Sequence, residues 1–240
     1  MTFQEMAKTA RQVLPAKSCG AVLVAAGSAS RMGGIDKVMA PLKGEPMILR
    51  TARAFQACAL VKEIVIVTRE DLVEPITELC GDLEKVRAVV KGGSSRQESV
   101  KLGLQTLSKE VTLAAVHDGA RPLISEALID KTIRAAHTYG AAAPAIQVKD
   151  TIKVAAAGFV ASTPDRGTLR AVQTPQVIDR DLLLGALERA EKDGASVTDD
   201  CSAVERLGMK IRLVEGEERN LKVTTPLDLK IAELLLEEEP

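Results

Sequence analysis

Along most of the chain, apolar runs of strand length alternate with segments of helical period. Residues 21–25, 63–68 and 86–90 read as strands, with a helix over 46–60 and a shorter helical piece broken by Pro75 between them. Within 46–60, Ile48, Ala52, Phe55 and Ala59 recur at i, i+4, i+7 and i+11, a spacing that puts them on one buried stripe. A helix over 95–107 opens with the capping-box pattern Ser95-x-x-Glu98 and precedes a strand at 113–116. A helix over 125–139 and a strand near 143–148 follow, then helices over 180–192 and 198–207. Strands at 211–214 and 220–223 and a last helix, opened by Thr225 as cap and Pro226 in its first turn, complete the pattern. Such alternation implies βαβ units: an α/β, Rossmann-like, mainly parallel sheet with helices on both faces.

One segment breaks the alternation. DTIKVAAAGFVASTPDRGTLR, residues 150–170, holds two short strand-like runs around Ala157-Gly158 and reads as a protruding β-arm at about 149–170. A lone two-stranded hairpin is marginal in water. Its apolar positions Ile152, Val154 and Phe159 therefore need cover, either from a second subunit that uses the arm for dimerisation or from the arm's own domain.

The length of 240 residues and 46% hydrophobic content fit one large domain, 19–240, preceded by a flexible extension over 1–18 that has no apolar core of a secretory signal. Lys+Arg at 32 nearly balances Asp+Glu at 33, so no global field draws the chain to nucleic acid or a membrane, and any anion site is local. With 2% aromatics and no Trp, there is no stacking platform for single-stranded nucleic acid. Cys19, Cys58, Cys80 and Cys201 form no C-x-x-C pair, which argues against a zinc knuckle or redox motif and fits reduced thiols in the cytoplasm. No apolar run approaches the ~20 residues of a membrane span.

In open α/β sheets, ligands gather beyond the carboxyl ends of the strands. Four loops follow strands: AAGSASRMGGIDK, KGGSSRQES, HDGARP and NLKVTTP. The first is neither G-x-G-x-x-G, because position 29 is Ala, nor a Walker loop, because no Gly-Lys-Ser/Thr closes it. Its small residues let backbone N–H groups approach oxygens closely, and Arg31 and Lys37 either neutralise a polyphosphate or are ordinary surface charges. In HDGARP, Asp118 is a candidate for Mg2+ or a sugar hydroxyl and Arg121 for a phosphate or carboxylate, although Asp-x-x-Arg is equally a loop salt bridge. His117 reads as a hydrogen-bonded strand-end histidine before a general base, and His137 as a favourable charge at a helix C-terminus. KGGSSRQES offers backbone N–H groups and Ser99 to a flat base edge, or is a plain turn and cap. There is no Ser/His/Asp set and no metal-ligand cluster. A phosphate monoester nucleophile, already anionic, would need no base: positioning and cations would carry the rate.

Taken in order, AAGSASRM, GGSSRQESV, HDGARP, VKDTIK, TPQ, TDDCSAVE and NLKVTTPLD make the chain resemble the 2-C-methyl-D-erythritol 4-phosphate cytidylyltransferases of the non-mevalonate isoprenoid pathway, collinearly over about 20–233. The resemblance implies an interlocking homodimer, Mg2+ dependence, and transfer of CMP from CTP to methylerythritol phosphate with release of pyrophosphate. It further implies that Arg31 and Lys37 stabilise the reacting α-phosphorus and departing pyrophosphate, that Lys222 and Arg121 support the phosphates, and that Asp118 lies near Mg2+ and the sugars. Ala25, Ala26, Gly27, Gly93, Ser94 and Ser99 would hold CTP; Thr174, and Thr151 and Arg166 from the neighbouring arm, would serve the methylerythritol phosphate. Two departures stand out: the loop between Arg31 and Lys37 is one residue shorter than the common form, and Asp36 stands where a proline often precedes the lysine. A ribitol 5-phosphate cytidylyltransferase would share the CTP loops, and a catalytically silent nucleotide-sensing or scaffold protein could share the fold.

Overall fold

A computed structural model describes residues 18–27 and 36–237. The first strand, β1 (Cys19–Ala25), is apolar throughout and sits at the centre of an eight-stranded sheet. After a small hairpin of β2 (Pro41–Leu42) and β3 (Glu45–Pro46), helix α1 (Met47–Ala57) leads to β4 (Val61–Thr68), parallel to β1. Helix α2 (Val73–Leu79), which carries Pro75 in its first turn where no helical N–H is lost, leads to β5 (Val86–Lys91), parallel to β4. Helix α3 (Arg96–Thr106) then returns the chain to the other side of β1, where β6 (Leu113–Asp118) pairs in parallel. This reversal of winding direction opens a crevice between the carboxyl ends of β1 and β6.

Beyond β6 the sheet is mixed. Helix α4 (Glu126–Tyr139), capped by Ser125 and stopped by Gly140 at φ 85°, feeds β7 (Ala141–Gln147). The arm, β8 (Val154–Ala156) and β9 (Phe159–Ser162), forms a separate two-stranded sheet. After it, β10 (Arg170–Val172) runs antiparallel to β7, and β11 (Gln176–Asp179) is inserted antiparallel between β6 and β7. Helices α5 (Arg180–Lys192) and α6 (Asp200–Glu205), edge strand β12 (Arg212–Glu215) parallel to β7, and α7 (Pro226–Glu237) complete the chain. The sheet is therefore mainly parallel with antiparallel insertions, and helices cover both faces. Alternate residues of β1 divide between two cores: Ala21, Leu23 and Ala25 face Ile48, Phe55, Leu128 and Ile133, while Val22 faces Val100, Leu104, Leu183 and Val204. Gly103 lets α3 lie against β1, since a Cβ there would stand 2.4 Å from Val22 Cγ1.

Four expectations change. The helix expected over 46–60 ends at Ala57, and Ala59 lies exposed in the turn beyond it instead of on the buried stripe. Residues 198–207 hold a shorter helix, because Asp199 accepts the Ser202 N–H and fixes the start of α6. The pair Ser95/Glu98 makes only half of a capping box: Ser95 Oγ accepts the Glu98 N–H, but the Glu98 carboxylate accepts from Ser94 N and Oγ at 2.7 Å. Residues 220–223 are not a strand. Their backbone bridges to the loop after β6 instead, with Val223 N–H donating to Ala120 O at 2.8 Å and Asn220 O accepting from Arg121 Nη1 at 2.7 Å. No helix among the described residues is long and apolar enough to cross a membrane.

Candidate active site

A cleft of about 330 Å3 opens at the crevice between β1 and β6. Its walls are the end of β1 and the residues after it (Ala25, Ala26, Gly27), the turn into α3 (Gly93 to Arg96, with Ser99), Asp118 at the end of β6, and Lys37 and Lys222. Thus nine of the expected site residues, Ala25, Ala26, Gly27, Lys37, Gly93, Ser94, Ser99, Asp118 and Lys222, share one cavity. Arg31 lies outside the described residues, as do residues 1–17 and the shortened part of the loop.

The loop backbones meet closely. A Cβ on Gly92 would stand 2.6 Å from the Ala26 Cβ and 2.7 Å from Ser99 Oγ, so the turn after β5 can touch the turn after β1 only without a side chain there. A Cβ on Gly27 would lie 3.7 Å from Lys37 Nζ, which puts the ammonium beside the backbone of that turn. Ser99 is buried and its hydroxyl is engaged within the loop: it donates to Ser95 O at 2.8 Å and accepts the Gly93 N–H at 3.1 Å. The hydroxyl expected to read a base edge is therefore spent on shaping its own loop.

Asp118 is the electrostatic centre. Its carboxylate faces Lys222 Nζ at 2.9 Å, Arg121 Nε at 3.5 Å and Arg96 Nε at 3.8 Å. Burial alone would raise its pKa, but Lys222, Arg96 and Arg121 together outweigh burial and hold the carboxyl at about 2. Arg96 is itself fixed by two hydrogen bonds to the buried Asp200, at 3.0 and 2.7 Å. Neither Arg96 nor Asp200 was singled out in the sequence. Arg96 lies inside GGSSRQESV and Asp200 inside TDDCSAVE, and only folding joins them.

Behind Asp118 a buried chain of hydrogen bonds fixes its backbone. Thr174 Oγ1 accepts the Asp118 N–H at 3.1 Å and lies 3.0 Å from His117 Nδ1, while His117 Nε2 is 3.3 Å from Arg121 O. Because a carbonyl only accepts, Nε2 carries the proton and Thr174 donates to Nδ1. Burial lowers the His117 pKa to about 4, against a smaller opposing pull from Asp118, and the neutral ring packs on Phe55. His117 is thus a structural histidine, and Thr174 supports the site from behind. Thr151 and Arg166 lie away from this cleft on the exposed arm, where Arg166 Nη1 donates to Lys149 O at 2.8 Å.

The arrangement, a glycine-lined cleft with lysines and a cation-held carboxylate, suits a nucleoside triphosphate rather than a base-driven hydrolysis. The family model for 2-C-methyl-D-erythritol 4-phosphate cytidylyltransferase (IspD) matches residues 19–238. The chain belongs to this family. A protein of that name from Symbiobacterium thermophilum is 47% identical over 220 residues, 91% of this chain and 92% of its own length. Another of the same name, from Caldanaerobacter subterraneus subsp. tengcongensis, is 44% identical, covering 90% of this chain and 97% of its own length. Among solved structures, the 4-diphosphocytidyl-2C-methyl-D-erythritol synthase of Anaerococcus prevotii superimposes with a TM-score of 0.84 at 31% identity, over 93% of this chain and 97% of that one. The family is a nucleotidyltransferase family, and its fold is the one described above.

Proposed function

We propose that this chain transfers CMP from CTP to the phosphate of 2-C-methyl-D-erythritol 4-phosphate in the cleft between β1 and β6. The observation that carries the residue assignment is the convergence of Lys37, Lys222 and Asp118 on a cavity floored by backbone from Ala25 to Gly27. CTP lies with its base against the turn at Gly93 and Ser94 and its phosphates over Ala26 and Gly27. The acceptor's phosphate oxygen forms a bond to the α-phosphorus while the bond to the β-phosphate oxygen breaks, and pyrophosphate leaves with that electron pair. Lys37, with Arg31, meets the charge that develops on the α-phosphate and leaving group; Lys222 stands on the side of Asp118 and supports the acceptor end. No side chain need remove a proton, because the nucleophile is an anion at neutral pH.

Mg2+ fits one protein ligand here. Asp118 would be that ligand: its Oδ2 faces Lys222 and Arg121, and its Oδ1 lies 3.8 Å from Arg96 Nε. The described residues hold no cluster of three His, Cys, Asp or Glu, so phosphates and water would complete the shell, as is usual for this ion. When bound it supplies charge neutralisation on the triphosphate. Asp118 orients it, held in place by Thr174 and His117.

The arm supports a homodimer. Phe159 is 79% and Val160 62% exposed, more apolar surface than a solvent-facing hairpin needs. In the dimer Thr151 and Arg166 reach the acceptor in the neighbouring cleft. Reduced, buried cysteines accord with a cytoplasmic location.

Pyrophosphate release with CTP and Mg2+ tests the reading. It is expected with methylerythritol phosphate and far slower with ribitol 5-phosphate. Preference for ribitol phosphate would overturn the acceptor assignment, and release with neither would point to the catalytically silent scaffold.

A further inference from the structure

Asp36 stands directly before Lys37 in the chain. Its carboxylate turns outward to Arg69 Nη1 and also accepts the Val38 N–H at 3.0 Å, which tightens the turn in which Met39 N–H bonds Asp36 O at 3.2 Å. Arg69 is held in turn by Asp71, which accepts from Nε at 3.0 Å and from Nη2 at 2.8 Å. Arg69 follows Thr68, the last residue of β4, which is in register with Ala25, the last residue of β1. The triphosphate loop therefore leaves the sheet at the Ala25–Thr68 rung and returns, at Asp36, to the residue immediately after that rung.

We propose that Arg69 is a positioning residue for this site: by clamping Asp36 to the end of β4 it closes the base of the loop and sets where Lys37 stands over the phosphates. The inference rests on the nucleotidyl-transfer reading of the cleft. Tying Asp36 to the end of β4 fixes the backbone that carries Lys37 before a ligand arrives, and such preorganisation lowers the cost of binding. Placement matters because a shift of about 1 Å in a charged group can cost on the order of 100-fold in rate. Arg69 does not line the cleft, so its action runs through Asp36 and Lys37.

The test is a double-mutant cycle between Arg69→Ala and Lys37→Ala, read in CTP–Mg2+ affinity by calorimetry and in turnover with methylerythritol phosphate. Arg69→Ala is expected to weaken CTP by roughly tenfold and to lower kcat further, yet to cost almost nothing more when Lys37 is already alanine. Arg69→Lys, which keeps the charge and loses the fork, should fall between wild type and Arg69→Ala. Wild-type affinity and rate in Arg69→Ala would overturn the clamp, as would a full, additive loss in the Lys37→Ala background, which would mark Arg69 as a merely structural residue. A wild-type enzyme that binds CTP but turns over no acceptor would overturn the nucleotidyl-transfer reading alone, because the affinity cycle still reports on the clamp.

Discussion

Lys222 Nζ lies 2.9 Å from Asp118 Oδ2, joining two segments about a hundred positions apart across the mouth of the cleft. The carboxylate is not accounted for without the lysine. Asp118 is nearly buried, and an uncompensated carboxylate there would protonate; Lys222 is the strongest of the charges that prevent it.

From that pair follows a titration. The Asp118 carboxyl carbon should titrate near pH 2 by NMR, and Lys222→Ala should move its midpoint upward. A folded-state pKa depressed below the unfolded value means stability that is present above about pH 4 and lost as pH falls toward 2. Turnover in Lys222→Ala should fall by two or more orders of magnitude, roughly the effect of removing a charge that meets a reacting phosphate. Its melting temperature should fall only modestly, because Asp118 loses one compensating charge while Arg96 and Arg121 still face it.

His117 predicts the opposite balance of stability and rate. Its folded pKa, about 4, is depressed, so the protein should lose stability as pH falls from about 6.5 toward 4, while activity shows no His117 inflection near neutrality. His117→Ala leaves the Thr174 hydroxyl without its acceptor, takes the Nε2 donor from Arg121 O and opens a void beside Phe55, and should destabilise by about 3 kcal/mol. Calorimetric melting at pH 7 and pH 5 checks this: the variant should be the less pH-sensitive of the two proteins.

The paired glycines after β5 should differ. Gly92→Ala sets a Cβ against the Ala26 Cβ at 2.6 Å, a contact that only backbone movement relieves, and CTP affinity should drop by about tenfold or more. Gly93→Ala sets its Cβ 2.2 Å from Glu98 Cγ, a side chain that can move at the cost of its bonds to Ser94 N and Oγ, and should weaken CTP less than Gly92→Ala. Titration calorimetry separates the two.

For the arm, Phe159→Ser should shift sedimentation toward monomer at low micromolar concentration and make specific activity fall on dilution. Dimers of undiminished affinity would place the exposed ring outside any subunit contact.

Much of the fold was written in the sequence because strands and helices carry their own period. Residues 46–60, 125–139 and 180–192 repeat their apolar positions at helical spacing, Ser95 and Ser125 announce helix starts, and Ala157-Gly158 turns the arm with φ 49° and 84°. Those are local preferences of backbone and side chain, expressed whatever the rest of the chain does. The ordered motifs likewise revealed the family, since seven short residue patterns in one order are legible without any knowledge of how they meet in space. Tertiary structure alone decided the rest. Strands Gln176–Asp179 and Arg170–Val172 are too short to show a period and exist because β7 and β6 offer them ladders. Residues 220–223 look like a strand but spend their backbone on Ala120 and Arg121, and so deliver Lys222 to Asp118. The grip of Asp200 on Arg96, and of Arg69 on Asp36, depends on side chains brought together from distant segments. A charge's meaning is set by its neighbours in space, and a single sequence lists its neighbours only along the chain.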